Sequence, residues 1–365
     1  MATSLLGRRA SHAMALMLAA VIALGGCTGT DDSGEPIDSG PSEPTSPDEP
    51  DGGSSLLPEA EGTTVYPVTI QTATGEITIE SRPERVVMAS SWDADLFAAL
   101  EVTPVATDAQ VDFYPWNTEV FGEIETIWEV GDEQFPAESI AVADPDLIVA
   151  TQAVDPAAVA QIGDIAPVLG APQVEVATWQ DRLRLIGEAL DLSTRAETFI
   201  TEYETTFEQI RADHPEFGEL TIDHVGFWGG EHGAALMNVA GTSSESLFTR
   251  LGFTPNPQAD DTALADGLSE ELLGTLEGDV LLVISQATGE GEAEEWMANP
   301  LIQGLDSVQA GRHARIDVGE GFVVTHEGEP TGFQGHLGRA FNLGPRAHLA
   351  IADLLVPILS EAVTG

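Results

Sequence analysis

Four histidines that could ligate a metal or carry a proton, His224, His232, His326 and His336, lie in the second half of the chain, and no histidine falls between Leu24 and Arg211. A direct zinc or manganese site needs several histidines and carboxylates converging, so a first half that offers only carboxylates argues against one. Nucleophilic chemistry has no better support. No G-x-S-x-G, H-E-x-x-H or P-loop pattern occurs, and among 61 acidic residues a pair of carboxylates is too common to mark a glycosidase. The one cysteine, Cys27, excludes an intramolecular disulfide or a multi-thiolate centre. These residues point away from an enzyme, from a bound metal and from a resident cofactor.

The charge balance narrows the partners. Thirteen basic against 61 acidic side chains give a formal net charge of −48, and every basic residue is arginine. Such a surface repels phosphates, which excludes ordinary nucleic-acid binding, and its solvated acidic shell is halophile-like. With 42% hydrophobic residues in 365 positions, the chain can still fill one large domain or two smaller ones.

At the N-terminus, Arg8 and Arg9 precede an apolar run from Ala13 to Leu24, too short for a permanent membrane span. Leu24-Gly25-Gly26-Cys27 resembles a bacterial lipobox, which implies removal of residues 1–26 and a lipid on Cys27. The arginine pair does not by itself establish twin-arginine export. Residues 27–62 are rich in Asp, Glu, Pro, Ser and Gly and read as a disordered tether. The expected location is extracytoplasmic, with the protein lipid-anchored to the outer face of the cytoplasmic membrane. No later apolar run approaches membrane-spanning length.

From Thr63 onward, short β-type runs (86–89, 147–150, 280–284) alternate with helical stretches, the pattern of an α/β fold with mostly parallel sheets. Between them, residues 194–212 carry Ala196, Phe199, Ile200, Tyr203, Phe207 and Ile210 at helical spacing, with Thr194 and Glu197 as a capping box. At about 1.5 Å per residue this helix is about 28 Å long, enough to run along two lobes. An internal repeat supports that division. Glu138 is followed eight positions later by Asp146, a strand and Gln152, and Glu271 likewise by Asp279, a strand and Gln286. The expected architecture is two Rossmann-like lobes, 63–193 and 213–365, joined by a single long backbone helix, with the ligand cleft between them.

Five blocks in order, RPERVVMASSWDADLFAAL (82–100), VGDEQFPAESIAVADPDLIVATQ (130–152), TWQDRLRLIGEAL (178–190), LSEELLGTLEGDVLLVISQ (268–286) and NPLIQGLDSVQAGRHARID (299–317), resemble the substrate-binding lipoproteins of iron-siderophore ABC importers. The resemblance implies a monomeric receptor that captures a ferric siderophore and delivers it to a permease and its ATPase subunits. It places ligand contacts in the loops after strands, here Ser90, Ser91, Trp92, Tyr114, Trp116, Gln152, Trp228 and Gln286. Aromatic faces and amide or hydroxyl groups suit a chelate. It also implies permease docking through one acid per lobe, matching Glu138 and Glu271. No arginine falls in those loops, and anionic chelates call for clustered arginine, so a hydroxamate-type complex is expected. Cobalamin, heme or a free transition-metal ion are alternative ligands, and a secreted enzyme or structural surface lipoprotein is the alternative of a different class.

Overall fold

The computed structural model describes residues 56–130, 135–152, 156–260 and 263–364. The leader, Cys27 and most of the tether lie outside them. A hairpin, β1 (Val68–Thr72) and β2 (Gly75–Ile79), precedes the first parallel sheet. That sheet contains β3 (Val86–Met88), β4 (Ala106–Asp108), β5 (Thr126–Trp128), β6 (Leu147–Val149) and β7 (Val168–Leu169), in the order β5-β4-β3-β6-β7. The second sheet contains β8 (Ile222–Gly229), β9 (Gly233–Leu236), β10 (Val280–Ser285), β11 (His313–Val318), β12 (Val324–His326) and β13 (Glu329–Pro330), in the order β13-β12-β11-β10-β8-β9. Its central strands β8, β10 and β11 are parallel, and its edges are antiparallel.

Strand alternation divides the packing. In the first sheet Val86, Met88, Leu147 and Val149 face a core shared with the second lobe, while Val87, Ala89 and Ile148 face a separate outer cluster. In the second sheet Val280, Leu282 and Ile284 join the shared core, and Leu281 and Val283 face outward into a third cluster. These odd-even partitions follow from the two-residue period of a strand. The shared core runs from the first sheet past Ala196, Ile200, Tyr203 and Phe207 of the backbone helix to Phe341, Ile351 and Leu355 near the C-terminus.

The internal repeat has a structural cause. Asp146 accepts hydrogen bonds from the backbone N–H groups of Glu84 (2.7 Å) and Arg85 (3.0 Å), immediately before β3. Asp279 accepts from the backbone and hydroxyl of Thr221, both at 2.9 Å, immediately before β8. In each lobe the aspartate entering one strand therefore holds the start of its parallel neighbour.

The backbone helix spans Ser193–Asp213, about 31 Å at 1.5 Å per residue. Its start differs from the capping box expected at Thr194 and Glu197. Residue Leu192 occupies the cap position without a side-chain cap, and Glu197 instead pairs with Arg184 at 2.6 Å. The Glu61 carboxylate supplies the acceptors, taking the N–H of Thr194 at 2.6 Å and of Arg195 at 2.9 Å. Next to it, Asp191 accepts from the N–H groups of Gly62, Thr63 and Thr64. Leu57 is also buried, 5% exposed. Residues 56–62, read from composition as tether, are thus fastened to the body.

A second departure is the C-terminal helix Pro345–Thr364, 20 residues long, in which an 18-residue stretch has a mean hydropathy of 1.5 and the length to cross a membrane. Ile351, Leu355 and Leu359 on it are buried in the shared core, so its apolar character is that of a core helix.

Candidate functional site

Strand order fixes where a crevice opens. In the first sheet the chain moves outward from β3 through β4 to β5, then restarts on the other side of β3 with β6, so the carboxyl ends of β3 and β6 flank a switch point. In the second sheet β8 and β10 stand in the same relation. Loops splay apart at such points and leave room for a ligand. Ser90, Ser91 and Trp92 follow β3, Gln152 follows β6, Trp228 lies at the end of β8 and Gln286 follows β10. The repeated glutamine marks the same corner of both lobes.

The first-lobe loops are laced by buried carboxylates. Asp108 accepts from the Ser91 N–H at 2.7 Å and from the Gln110 N–H at 2.9 Å. Asp93 accepts from the Thr151 backbone at 3.0 Å and its hydroxyl at 2.5 Å, tying the β3 loop to the β6 loop. Burial pushes the Asp93 carboxyl above its usual range, opposed by the Thr151 bonds and by Arg182. Arg182, from the helix Trp179–Ala189, donates to Gln152 at 2.9 Å. Burial lowers its pKa from the usual guanidinium range, with Asp93 opposing that effect.

Across the crevice the helix Leu337–Leu343 presents Arg339, which donates to Gln110 Oε1 at 2.9 Å. Arg339 also interacts with the Tyr114 hydroxyl, lowering a phenol pKa that burial raises overall. This differs from the expectation that no arginine reaches the ligand loops. The fold brings Arg339 from the C-terminal region and Arg182 from a helix ahead of the backbone helix, and these long-range placements have no local sequence signal.

The proposed ligand residues separate into two groups. Trp228 and Gln286 line a cavity of about 390 Å³ together with Arg339, His224 and Phe341. Ser90, Trp92 and Gln152 are half-buried at the first-lobe corner. Ser91 and Tyr114 are 2% and 1% exposed and offer almost no surface of their own. Tyr114 instead backs Trp116, with ring centroids 5.6 Å apart. Trp116 donates its indole N–H to Asp95 at 3.2 Å and faces Phe333 at 5.6 Å, beside the main crevice. Trp179 and Trp296 pack against Tyr203 and Phe227, at 4.7 and 5.0 Å between centroids.

The structure adds Asp93, Asp108 and Gln110 to these corners, brings in Arg339 from the C-terminal region, and places His224, considered above as a metal-ligating or proton-carrying histidine, in the cavity wall. His224 follows the pattern of β8, where His224, Gly226 and Trp228 recur every second residue and line one cavity. That alternation was the available signal. Its imidazole is 3% exposed, and burial pushes its pKa down to about 3, so the ring is neutral near pH 7. Among the described residues no group of three or more His, Cys, Asp or Glu is arranged to hold a metal ion.

Glu138 and Glu271 are both exposed, in the first turns of Ala137–Val142 and Glu270–Leu273. These short helices lead into β6 and β10, so each acid occupies the equivalent surface position of its lobe.

The chain resembles a probable siderophore-binding lipoprotein, YfiY, of Bacillus subtilis strain 168, with 22% identity over 66% of this chain and 76% of the relative. It also resembles the Fe(3+) dicitrate-binding periplasmic protein FecB of Escherichia coli strain K12, with 24% identity over 69% of this chain and 83% of the relative. In fold it matches a periplasmic solute binding protein from Mycobacterium smegmatis, at a TM-score of 0.61 and 24% identity, over 81% of this chain and 98% of that one. The periplasmic binding protein model matches residues 86–318, from the first strand of the first sheet to the end of β11, and the chain belongs to that family.

Proposed function

We propose that this protein is a lipid-anchored receptor that captures a ferric siderophore outside the cytoplasmic membrane and delivers it to an ABC permease. The observation that carries this reading is the pair of switch-point corners, bridged by Arg339 and Gln110, in a family whose curated relatives are named for siderophore and ferric citrate binding. Its part in import is binding and delivery, while nucleotide hydrolysis belongs to the permease's ATPase subunits. The folded body is a monomer of two lobes, 56–192 and 214–365, about the helix Ser193–Asp213. Residues 1–26 form the leader, and Cys27 carries the lipid.

The chelate is hydroxamate-type. Two arginines reach the crevice, but each is engaged: Arg339 with Gln110, and Arg182 with Gln152 opposite the Asp93 carboxyl. With Asp108 and Asp93 in the same corner, these cations do not form the unopposed cluster that an anionic catecholate or citrate complex calls for. Ligand contacts come from Ser90, Trp92, Gln152, Trp228, Gln286 and Arg339, with Ser91, Tyr114 and Trp116 shaping the wall behind them. Permease docking uses Glu138 and Glu271.

The test is tryptophan-fluorescence titration of residues 56–365 with ferric hydroxamate, ferric catecholate, ferric citrate and free ferric, zinc and manganese ions, in moderate and high salt. Saturable quenching by ferric hydroxamate below micromolar concentration is the expected outcome. Tighter binding of a catecholate or citrate complex overturns the chelate class, and a response to bare ions alone overturns siderophore capture.

A further inference from the structure

The cavity containing Trp228 and Gln286 is lined by second-lobe residues, from His224 to Asn342. Its volume is about 390 Å³, and its described lining contains no carboxylate. At the outer end is Arg339, directed to Gln110 of the first lobe. His224, Ser244 and Phe341 also line it. The His224 ring stacks on Phe341 at 4.7 Å, and its Nδ1 lies 2.7 Å from the Ser244 hydroxyl. That contact leaves Nε2 as the ring atom available to a guest. Beside Arg339 the lining is therefore mostly uncharged, with two imidazoles, His224 and the half-buried His336, and two hydroxyls, Ser244 and the half-buried Thr242.

We infer that this cavity receives a neutral, planar arm of the bound chelate, such as an aryl amide, which passes Trp228 toward His224 while the metal-bearing head stays in the crevice. The inference deepens the receptor reading above and rests on it. Size and chemistry agree. An apolar cavity of about 150 Å³ accommodates benzene, so this one has room for a ring with its linker. An ammonium arm would lose its hydration here with no carboxylate in the described lining to meet it, and would face Arg339 besides. A ring instead gains apolar contact with Trp228, Met237 and Phe341 and one hydrogen bond at His224.

Gly226 sets the width of the entrance. A β-carbon there would lie 2.7 Å from Trp228 Cη2 and 3.1 Å from Met237 Sδ. The indole occupies the space beside Gly226 that a side chain would fill, so Gly226→Ala displaces Trp228 and narrows the path.

The experiment compares three ferric complexes on wild-type protein: a cyclic trihydroxamate without an arm, a linear trihydroxamate with a terminal ammonium, and the same linear ligand with that amine benzoylated. The benzoylated complex is expected to bind about tenfold more tightly than the ammonium form. Gly226→Ala should reduce this advantage to less than about twofold and, because it moves Trp228, should weaken the cyclic and ammonium complexes alike; saturable binding of the cyclic complex then shows that the variant folds. Met237→Phe, which adds volume to the same cavity, should have the same effect if Gly226→Ala proves unfolded. Equal binding of the two linear complexes by wild type, or an undiminished advantage in the variants, overturns the arm pocket while leaving the receptor reading intact. Failure of all three complexes to bind wild type overturns both.

Discussion

Asp95 joins the two lobes, and its removal has a calculable cost. The carboxylate is 1% exposed and accepts from Trp116 Nε1 at 3.2 Å, Asn117 Nδ2 at 2.8 Å and the backbone N–H of Ala347 at 2.7 Å. The last donor belongs to the first turn of the helix Pro345–Thr364, so a first-lobe anion caps a second-lobe helix. Asp95→Ala leaves the Asn117 and Ala347 donors buried without an acceptor, at about 1–3 kcal/mol each. It also removes a favourable charge–dipole interaction of about 0.3–1 kcal/mol. Relief of the carboxylate's own desolvation offsets part of this. The net expectation is a loss of about 3 kcal/mol, roughly two powers of ten in the folding equilibrium. Asp95→Asn keeps the shape and one acceptor oxygen, and should cost about half as much. Urea unfolding followed by fluorescence and far-UV circular dichroism measures both variants, with a shift in midpoint at constant slope reporting stability. A loss below about 1 kcal/mol for Asp95→Ala, or equal losses for both variants, would refute the reasoning.

Three further outcomes are expected. Glu61→Ala should destabilise the protein by about 1 kcal/mol, because the backbone helix loses its acceptors; a chain beginning at Val65 should lose more, since the Asp191 partners go as well, and thermal melts of the two will show the order. His224 titrates normally near 6.5 when unfolded but near 3 when folded, so below pH 6.5 the unfolded state binds the extra proton. Native stability contributed by the neutral ring is complete above 6.5 and falls as pH drops toward 3, by up to about 1.4 kcal/mol per unit; His224→Gln should abolish that part of the slope in denaturation series between pH 6 and 4. The neighbouring Asp223 is raised by burial to about 6 and works in the opposite sense, but it is common to both proteins and cancels in the difference. Finally, Glu138→Ala and Glu271→Ala together should lower uptake at least tenfold in a reconstituted importer at unchanged chelate affinity, with each single variant milder; full uptake by the double variant removes these acids from docking.

The parts of the fold that could be read from the sequence rest on local periodicity and on repetition. β6 and β10 show as short apolar runs, the backbone helix as a stripe from Ala196 to Ile210, and the duplicated strand unit as equal spacing from Glu138 to Asp146 and from Glu271 to Asp279. The corners of the crevice followed from those strands. What stayed hidden depends on residues distant in the chain. Glu61 accepts from Thr194, 133 positions later, and Arg339 meets Gln110 across 229. Composition also misplaced the start of the body, because Leu57 and Glu61 sit in an acidic, glycine-rich context while making specific contacts. Tyr114 was read for its ring chemistry, but side-chain type does not reveal that neighbouring aromatics enclose it.

The core that continues from one sheet to the other has a mechanical meaning. Lobes with separate interiors can swing about a linker at small cost, whereas here any opening motion shears packed side chains along the whole seam, and close-packed interiors deform little before contacts are lost. The protein is therefore stiff before a ligand arrives, and on the proposed reading little of the binding free energy goes into ordering it. The same stiffness opposes unloading. On the reading proposed above, release calls for an outside force on both lobes, and docking through Glu138 and Glu271 would let the conformational cycle of the permease supply it.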